Sequence, residues 1–290
     1  MRVKRRFNSE LLGMTTKTEQ NYFARYGETI YSGKGEIVDL GCWLGSTTIP
    51  LAQGLLKNPA FSQSERKIYA YDLFVWYDWM NSSLKGTNLA GKYKEGDSFL
   101  EEYKQRTAEY SSRIEICAGD LAQIGWNGRE IEFLLVDAMK NWDLSNAVVK
   151  NFYGSLIPNE SYVLHQDFGH YFTPWIHLLQ WTFRDYFEFA ADVPKSGSVV
   201  FKCTGKIPVE LLSKTYSFES FTGEEANAAY DYSMKLVPPE KLPNVAAAKV
   251  MFYVHQQQIE KAKTEFENLL RQGIPLEKDM AVVSEMIQNM

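Results

Sequence analysis

The sequence predicts a doubly wound α/β sheet, mostly parallel with a terminal antiparallel hairpin, and extended by helices at both ends. From Gly35 to about Cys203, short apolar β-rich runs alternate with longer helical stretches, the pattern of a parallel sheet covered on both faces. The runs carry an acid at or near their C-terminal ends: Asp39 within the first, then Asp72, Asp120, Asp137 and Asp167. The first run, Glu36-Ile-Val-Asp-Leu, breaks at Gly41 and Gly45 into Ser46-Thr-Thr48, so the backbone can turn tightly and approach a ligand with no Cβ in the way.

Residues 1–34 read as an N-terminal helical cap, a polar loop followed by a helix over Thr18 to Tyr31, placed either over the ligand site or along a sheet edge. Residues 35–205 form the sheet domain. Its first strand, Ile37 to Leu40, leads through the glycine turn to a helix over Thr48 to Leu56, which Ser46, Thr47 or Thr48 can cap. The next strand, Lys67 to Tyr71, opens a long stretch with Trp76, Tyr77 and Trp79, then Gly86, Gly91 and Gly96, then a helix near Ser98 to Tyr110. A glycine-punctuated segment of that length at the carboxyl edge of a sheet reads as a lid or substrate loop. Strands over Arg113 to Cys117, Ile131 to Val136 and Tyr162 to Gln166 follow, then a helix from about Pro174. Phe187 to Val193 and Ser198 to Cys203, joined by Pro-Lys-Ser-Gly, read as a hairpin.

Residues 206–290 read as a helical extension. Pro238, Pro239 and Pro243 separate Glu224 to Lys235 from one long amphipathic helix over Ala246 to Gln272, a packing or homodimer element. A shorter helix over Glu277 to Gln288 ends the chain.

With 290 residues, 45% of them hydrophobic, the chain can bury one large domain or a domain with an appendage. Its net charge of −5 is not outweighed by the basic start Arg2-Val-Lys-Arg-Arg6, so a nucleic-acid backbone is not an expected partner. Cys42, Cys117 and Cys203 are odd in number, far apart and set in or beside apolar segments, which reads as buried thiols of a cytoplasmic protein. Apolar runs fall short of the roughly 20 residues that span a bilayer, and the start lacks the apolar stretch of a signal peptide. A cytoplasmic protein with no membrane partner is the expectation.

In an open parallel sheet, ligands sit outside the carboxyl ends of the strands where strand order reverses, and the strand-end acids converge there. Asp72 can accept hydrogen bonds from two vicinal hydroxyls, or cap a helix. Asp120, after Ala118-Gly, can reach a ligand amine, or cap a helix beginning at Leu121.

Through the Gly41 to Gly45 turn, Asp72, Ala118-Gly-Asp120 and Asp137, the chain resembles the successive motifs of class I S-adenosylmethionine-dependent methyltransferases, over roughly Tyr31 to Cys203. The resemblance implies a Rossmann-like fold and S-adenosyl-L-methionine as cofactor. Its binding residues would be Asp39, Gly41, Cys42, Trp43, Gly45, Ser46 and Thr47 of the first turn, Asp72 with Leu73, then Gly119, Asp120 and Leu121, and Asp137. Asp137-Ala-Met-Lys140 followed by Asp167 is similar to the metal-dependent small-molecule O-methyltransferases of the catechol and macrocin types. That implies Mg²⁺ on Asp137 and Asp167, Lys140 as a base, and a hydroxyl of a sugar or natural-product molecule as acceptor.

The chemistry is consistent with those residue types. Methyl transfer is an in-line displacement at a sulfonium, so an acceptor oxygen must be aligned and its proton removed. Two carboxylates holding a hard cation would bind vicinal oxygens and lower a hydroxyl's pKa. One departure stands out: Phe168 follows Asp167 where the catechol type has Asn and the macrocin type Asp, and a phenyl ring ligates nothing. His165 and His170 lie close by and can supply the missing ligand, or act as the base with no metal. His165 and Asp167 are two apart on a strand end and so share a face. His177, set among Trp175, Ile176 and Leu178, reads as core. Trp76 and Trp79, with Tyr77, Asn141 and Trp142, are candidates for the acceptor pocket. Three alternatives stay open: a metal-free O- or N-methyltransferase with a histidine base, a nicotinamide enzyme, and an inactive cofactor-binding or interaction protein. The four-residue spacing of Gly41 and Gly45 does not match the Gly-x-Gly-x-x-Gly of a nicotinamide enzyme.

Overall fold

The computed structural model describes residues 11–290; the basic run Arg2 to Arg6 lies outside them. One sheet contains β1 (Glu36–Leu40), β2 (Ile68–Asp72), β3 (Ile114–Ala118), β4 (Ile131–Val136), β5 (Tyr162–His165), β6 (Phe187–Asp192) and β7 (Val199–Cys203), in the order β3-β2-β1-β4-β5-β7-β6. Strands from β3 to β5 pair in parallel, and β7 enters antiparallel between β5 and β6. The chain runs outward from β1 to β3 and then returns to β4, so strand order reverses between β1 and β4. A crevice opens there at the carboxyl ends. Apolar side chains on both faces keep β1 and β4 wholly buried.

The helices are α1 (Lys17–Arg25), α2 (Thr48–Leu55), α3 (Pro59–Ser62), α4 (Met80–Ser83), α5 (Leu100–Arg106), α6 (Trp142–Phe152), α7 (Pro174–Thr182), α8 (Val209–Ser213), α9 (Gly223–Leu236), α10 (Leu242–His255), α11 (Ile259–Arg271) and α12 (Asp279–Gln288). Thr16 and Glu19 start α1 with a reciprocal capping box, with hydrogen bonds of 3.2 and 2.7 Å. A π-helical turn over Tyr26–Ile30 extends α1, and Tyr26 stacks on Phe133 of β4 at 4.0 Å between centroids. Between α1 and α2 the backbones almost touch: a Cβ on Gly54 would lie 1.9 Å from the Ala24 carbonyl oxygen. The N-terminal segment thus covers the sheet while residues 14–16 and Glu19 border the crevice.

Three elements depart from the sequence reading. No helix follows Asp120; residues 121–123 form a turn, and Asp120 Oδ1 accepts the Ala122 amide at 2.9 Å. The sheet face left open is covered by Trp126, edge-on to Tyr69 at 4.9 Å. Second, α6 was not anticipated as a defined element; Asn141 caps it through the Leu144 amide at 2.8 Å. Third, the single helix expected over Ala246 to Gln272 is two. The chain breaks at Gln256 to Gln258, where Gln257 takes a left-handed φ of 59°, and α11 folds back on α10. Its apolar stripe, Ala262, Phe266 and Leu269, packs against Ala246, Val250, Met280 and Val283 within the same chain. The stripe that suggested a dimer surface is therefore covered internally. No described helix is long and apolar enough to cross a membrane.

Candidate active site

A cavity of about 620 Å³ opens at the crevice. Its floor comes from the ends of β1, β2, β4 and β5: Gly41, Cys42, Trp43, Ser46 and Thr47, then Asp72, then Asp137 and Lys140, then Gln166, Asp167 and His170.

Gly41 joins β1 to the neighbouring strand end. Its φ is 89°, its amide donates to the Tyr71 carbonyl at 2.8 Å, and a Cβ there would lie 2.8 Å from the Asp137 carbonyl oxygen. Only glycine fits a left-handed residue packed this closely. Asp72 then locks the turn. One carboxylate oxygen accepts the Trp43 amide and the other the Phe74 amide, both at 2.8 Å. Trp43 and Phe74 are both left-handed, with φ of 39° and 54°, a conformation that costs a non-glycine residue about 1–3 kcal/mol and clusters at functional sites. Burial pushes the Asp72 carboxyl upward, and the amides of Phe74, Trp43 and Leu73 oppose it.

Asp39 is placed differently from the expectation. It is fully buried behind the turn and accepts the Thr47 and Thr48 hydroxyls at 2.7 and 2.6 Å. Burial raises it to about 6, against those two hydrogen bonds. Those hydroxyls are therefore spent on Asp39, and α2 starts with no side-chain cap.

The second half of the site centres on Lys140. Its ammonium reaches Asp137 Oδ1 at 2.5 Å and also donates to Asp167 Oδ2. Burial pulls this lysine down, but the Asp137 and Asp167 carboxylates more than reverse it and hold Lys140 well above the ordinary lysine range. Seated on the cavity floor, Asp137 is raised to about 7 by desolvation; Lys140 opposes the shift and Asp167 adds to it.

The structure separates the two histidines. His170 lines the cavity, stacks on Phe172 at 5.1 Å and lies 3.9 Å from Asp279. His165 is buried away from the cavity wall, its Nε2 3.2 Å from the Tyr153 hydroxyl, and burial lowers it to about 4. Thus His165 and Asp167 do not share the mouth, because β5 ends at His165 and the chain turns before Asp167. Phe168 and His177 pack together in the core, with ring centroids 4.7 Å apart. Among the tryptophans, Trp79 lines the cavity 6.1 Å from Trp43, whereas Trp76 is fully buried against Tyr93 and Trp142 packs on Phe218 and Phe221. Gly45, Leu73, Gly119, Asp120 and Leu121 stand outside the described cavity wall.

Part of the wall carried no sequence signal. The β6–β7 turn brings Lys195, Ser196 and Gly197; the C-terminal layer brings Glu240, Lys241, Asn244 and Lys278. Gly197 allows the hairpin turn in, since a Cβ there would lie 2.8 Å from the Gln166 carbonyl oxygen. Asn244 Nδ2 donates to the Gly169 carbonyl at 3.0 Å, and Asp279 accepts the Tyr171 amide at 3.0 Å, fastening the C-terminal helices to the loop after β5.

Two groups are implied by the family resemblance, and the residues fit them unequally. For an S-adenosyl group the fit is good. Asp72 ends β2 with lone pairs left after its two amide bonds, and Trp43, Gln166 and Asn244 line the same cavity while their Nε1, Oε1 and Oδ1 are buried with no hydrogen-bond partner. For a divalent metal the space is already taken. Mg²⁺ keeps several waters and binds through one or two carboxylates, and the two that meet here are already joined by the Lys140 ammonium. Among the described residues, no three acidic, histidine or cysteine side chains converge as metal ligands.

No protein-family model matches the chain, and no curated protein matches it significantly. Solved structures with a similar fold include the O-methyltransferase NovP, at 16% identity and TM-score 0.46, covering 65% of this chain and 78% of that one. The calicheamicin methyltransferase CalS11 follows at 13% identity and TM-score 0.43, covering 63% and 76%. A putative rRNA-methylase from Clostridium thermocellum matches at 12% identity and TM-score 0.40, covering 67% and 99%. At such values the likeness carries no functional argument, and the fold assignment rests on the strand order. A sheet ordered β3-β2-β1-β4-β5-β7-β6, with only β7 reversed, is the Rossmann-like fold of class I methyltransferases.

Proposed function

We propose that the chain is an S-adenosylmethionine-dependent methyltransferase acting on an oxygen of a small molecule, by a metal-free route. The observation that carries this reading is one shared cavity: the Asp72-locked turn and the Asp137–Lys140–Asp167 cluster line the same space of about 620 Å³. A donor-holding half and a proton-handling half are what an in-line methyl transfer needs side by side.

When bound, an S-adenosyl sulfonium would supply an electrophilic methyl group with a neutral thioether as its leaving group. Asp72 accepts the donor's ribose hydroxyls beside the Trp43 turn. Asp137 takes the acceptor's hydroxyl proton, since its raised carboxyl sits closer to neutrality than an ordinary aspartate. Lys140, held above the ordinary lysine range between two acids, serves in this reading as a fixed cation and not as the base. Trp79, half exposed at the mouth beside Trp43, gives a planar or sugar-like acceptor an apolar face. The metal-dependent reading loses ground to the metal-free one because Phe168 and His165 supply no ligand. The histidine-base alternative narrows to His170, since His165 is off the cavity wall.

Isothermal titration with S-adenosylhomocysteine, with Mg²⁺ and with chelator, tests the reading. Equal binding in both media supports it, and no binding in either overturns it.

A further inference from the structure

We propose that the Lys140 ammonium is the resident cation of this site, seated where a divalent ion would otherwise bridge Asp137 and Asp167, and that its remaining N–H is offered to the acceptor oxygen. The second half of this statement rests on the methyl-transfer reading; the first rests on geometry alone.

The lysine is held in place by its neighbours in sequence. Met139 is buried, and its carbonyl accepts the Trp175 indole N–H at 2.7 Å. Asn141 is committed to capping α6, and the Lys140 amide closes a tight turn onto the Ala138 carbonyl at 2.8 Å. With both flanks pinned, the side chain lies across the acids. Asp167 is fixed as well: the Gln166 amide continues the sheet onto the Val136 carbonyl at 3.0 Å, and Thr173 Oγ1 donates to the Asp167 carbonyl at 2.8 Å.

A metal at this position would have Asp137 and Asp167 and would complete its shell with water, but the ammonium already holds both acids. Phe168 points into the core between His177 and Phe201, and His165 faces Tyr153. An ammonium needs less. It has three N–H donors; Asp137 and Asp167 take two, which leaves one for a ligand oxygen. A fixed positive charge beside an oxygen that loses its proton stabilises the developing anion without reorganising at the moment of reaction. This cation is covalently tethered and cannot be removed by a chelator. The acceptor class that fits is a hydroxyl able to form one charge-assisted hydrogen bond while its proton passes to Asp137.

The test is a Mn²⁺ titration followed by electron paramagnetic resonance on the whole chain, as wild type, Lys140→Met, Lys140→Ala and the double variant Lys140→Met/Asp137→Asn. Wild type is expected to leave Mn²⁺ free. Both single variants are expected to bind one ion about tenfold more tightly or better, and the double variant to lose it. Lys140→Met keeps the stem packing, so it can be read even where Lys140→Ala fails to fold. Wild type binding Mn²⁺ as tightly as Lys140→Met, or neither variant gaining a site, overturns the proposal. S-adenosylhomocysteine binding to wild type is measured alongside; its absence would end the methyl-transfer reading while the Mn²⁺ result still decides the cation.

Discussion

Asp72 ties together two loops that would otherwise be free to relax, since its carboxylate holds Trp43 after β1 and Phe74 after β2, both left-handed. Hydrogen bonds to a charged group contribute about 1.5–3 kcal/mol, so Asp72→Ala should lower stability on that scale and weaken S-adenosylhomocysteine binding at least about tenfold. A calorimetric titration finding undiminished affinity would remove Asp72 from the site. Asp137 makes a second prediction. It must be ionised to accept a proton, and it titrates near 7, so kcat/KM should rise with pH through about 7. Lys140→Met removes the charge that holds Asp137 down, so the midpoint should move to higher pH; an unmoved midpoint would show that Asp137 is not the group titrating. Asp72, Asp137 and Asp167 were legible because each follows an apolar strand. The role of Lys140 was not, because sequence spacing places it near Asp137 but does not reveal that it also reaches Asp167, 27 residues away.

The α1–α2 contact is an element-scale test of how the N-terminal segment is fixed over the crevice. Gly54→Ala pushes a methyl into the Ala24 carbonyl, and overpacking of this kind costs about 1–3 kcal/mol or more. Thermal unfolding should show a clear loss, and a neutral result would mean that the two helices do not meet there. The break between α10 and α11 gives an opposite sign. Glycine suits a left-handed residue just past a helix end, so Gln257→Gly should be neutral or stabilising. In one continuous helix it would cost about 1 kcal/mol. The break escaped the sequence reading because no glycine or proline marks Gln256 to Gln258, and the apolar spacing runs on across it. The turn after Asp120 escaped for a related reason: Leu121 is apolar and follows a good capping residue, yet the segment is closed by Trp126 packing instead of by a helix.

Across the whole molecule, the seven strands and the antiparallel hairpin were legible from alternating apolar runs and the Pro-Lys-Ser-Gly turn, but the insertion of β7 between β5 and β6 was not. The docking of the C-terminal helices onto the cavity rim was not, since Asn244 and Asp279 meet Gly169 and Tyr171 only through tertiary contacts. Buried histidines shape the global pH response. Burial lowers His165 to about 4 and His177 to about 3, below the ordinary 6.5, so the unfolded chain binds more protons in that window. Their contribution to stability is intact above about 6.5 and is lost as pH falls toward those values. Asp39 works the other way: raised to about 6, it favours the folded state more as pH falls from 6 toward 3.8. Asp137, raised to about 7, acts in the same direction as Asp39, so the histidine contribution is isolated by substitution: His177→Phe should lose less stability than wild type between about pH 7 and pH 5 by urea unfolding. Equal losses would place His177 outside the core. The central claim is that one cavity holds the methyl donor beside a metal-free acid–lysine–acid cluster. Calorimetric titration of S-adenosylhomocysteine into wild type and Asp72→Ala, each with Mg²⁺ and with chelator, measures it most directly. The account predicts one-to-one binding to wild type that Mg²⁺ does not change and that Asp72→Ala weakens; binding that is absent, or that appears only with Mg²⁺, would contradict it.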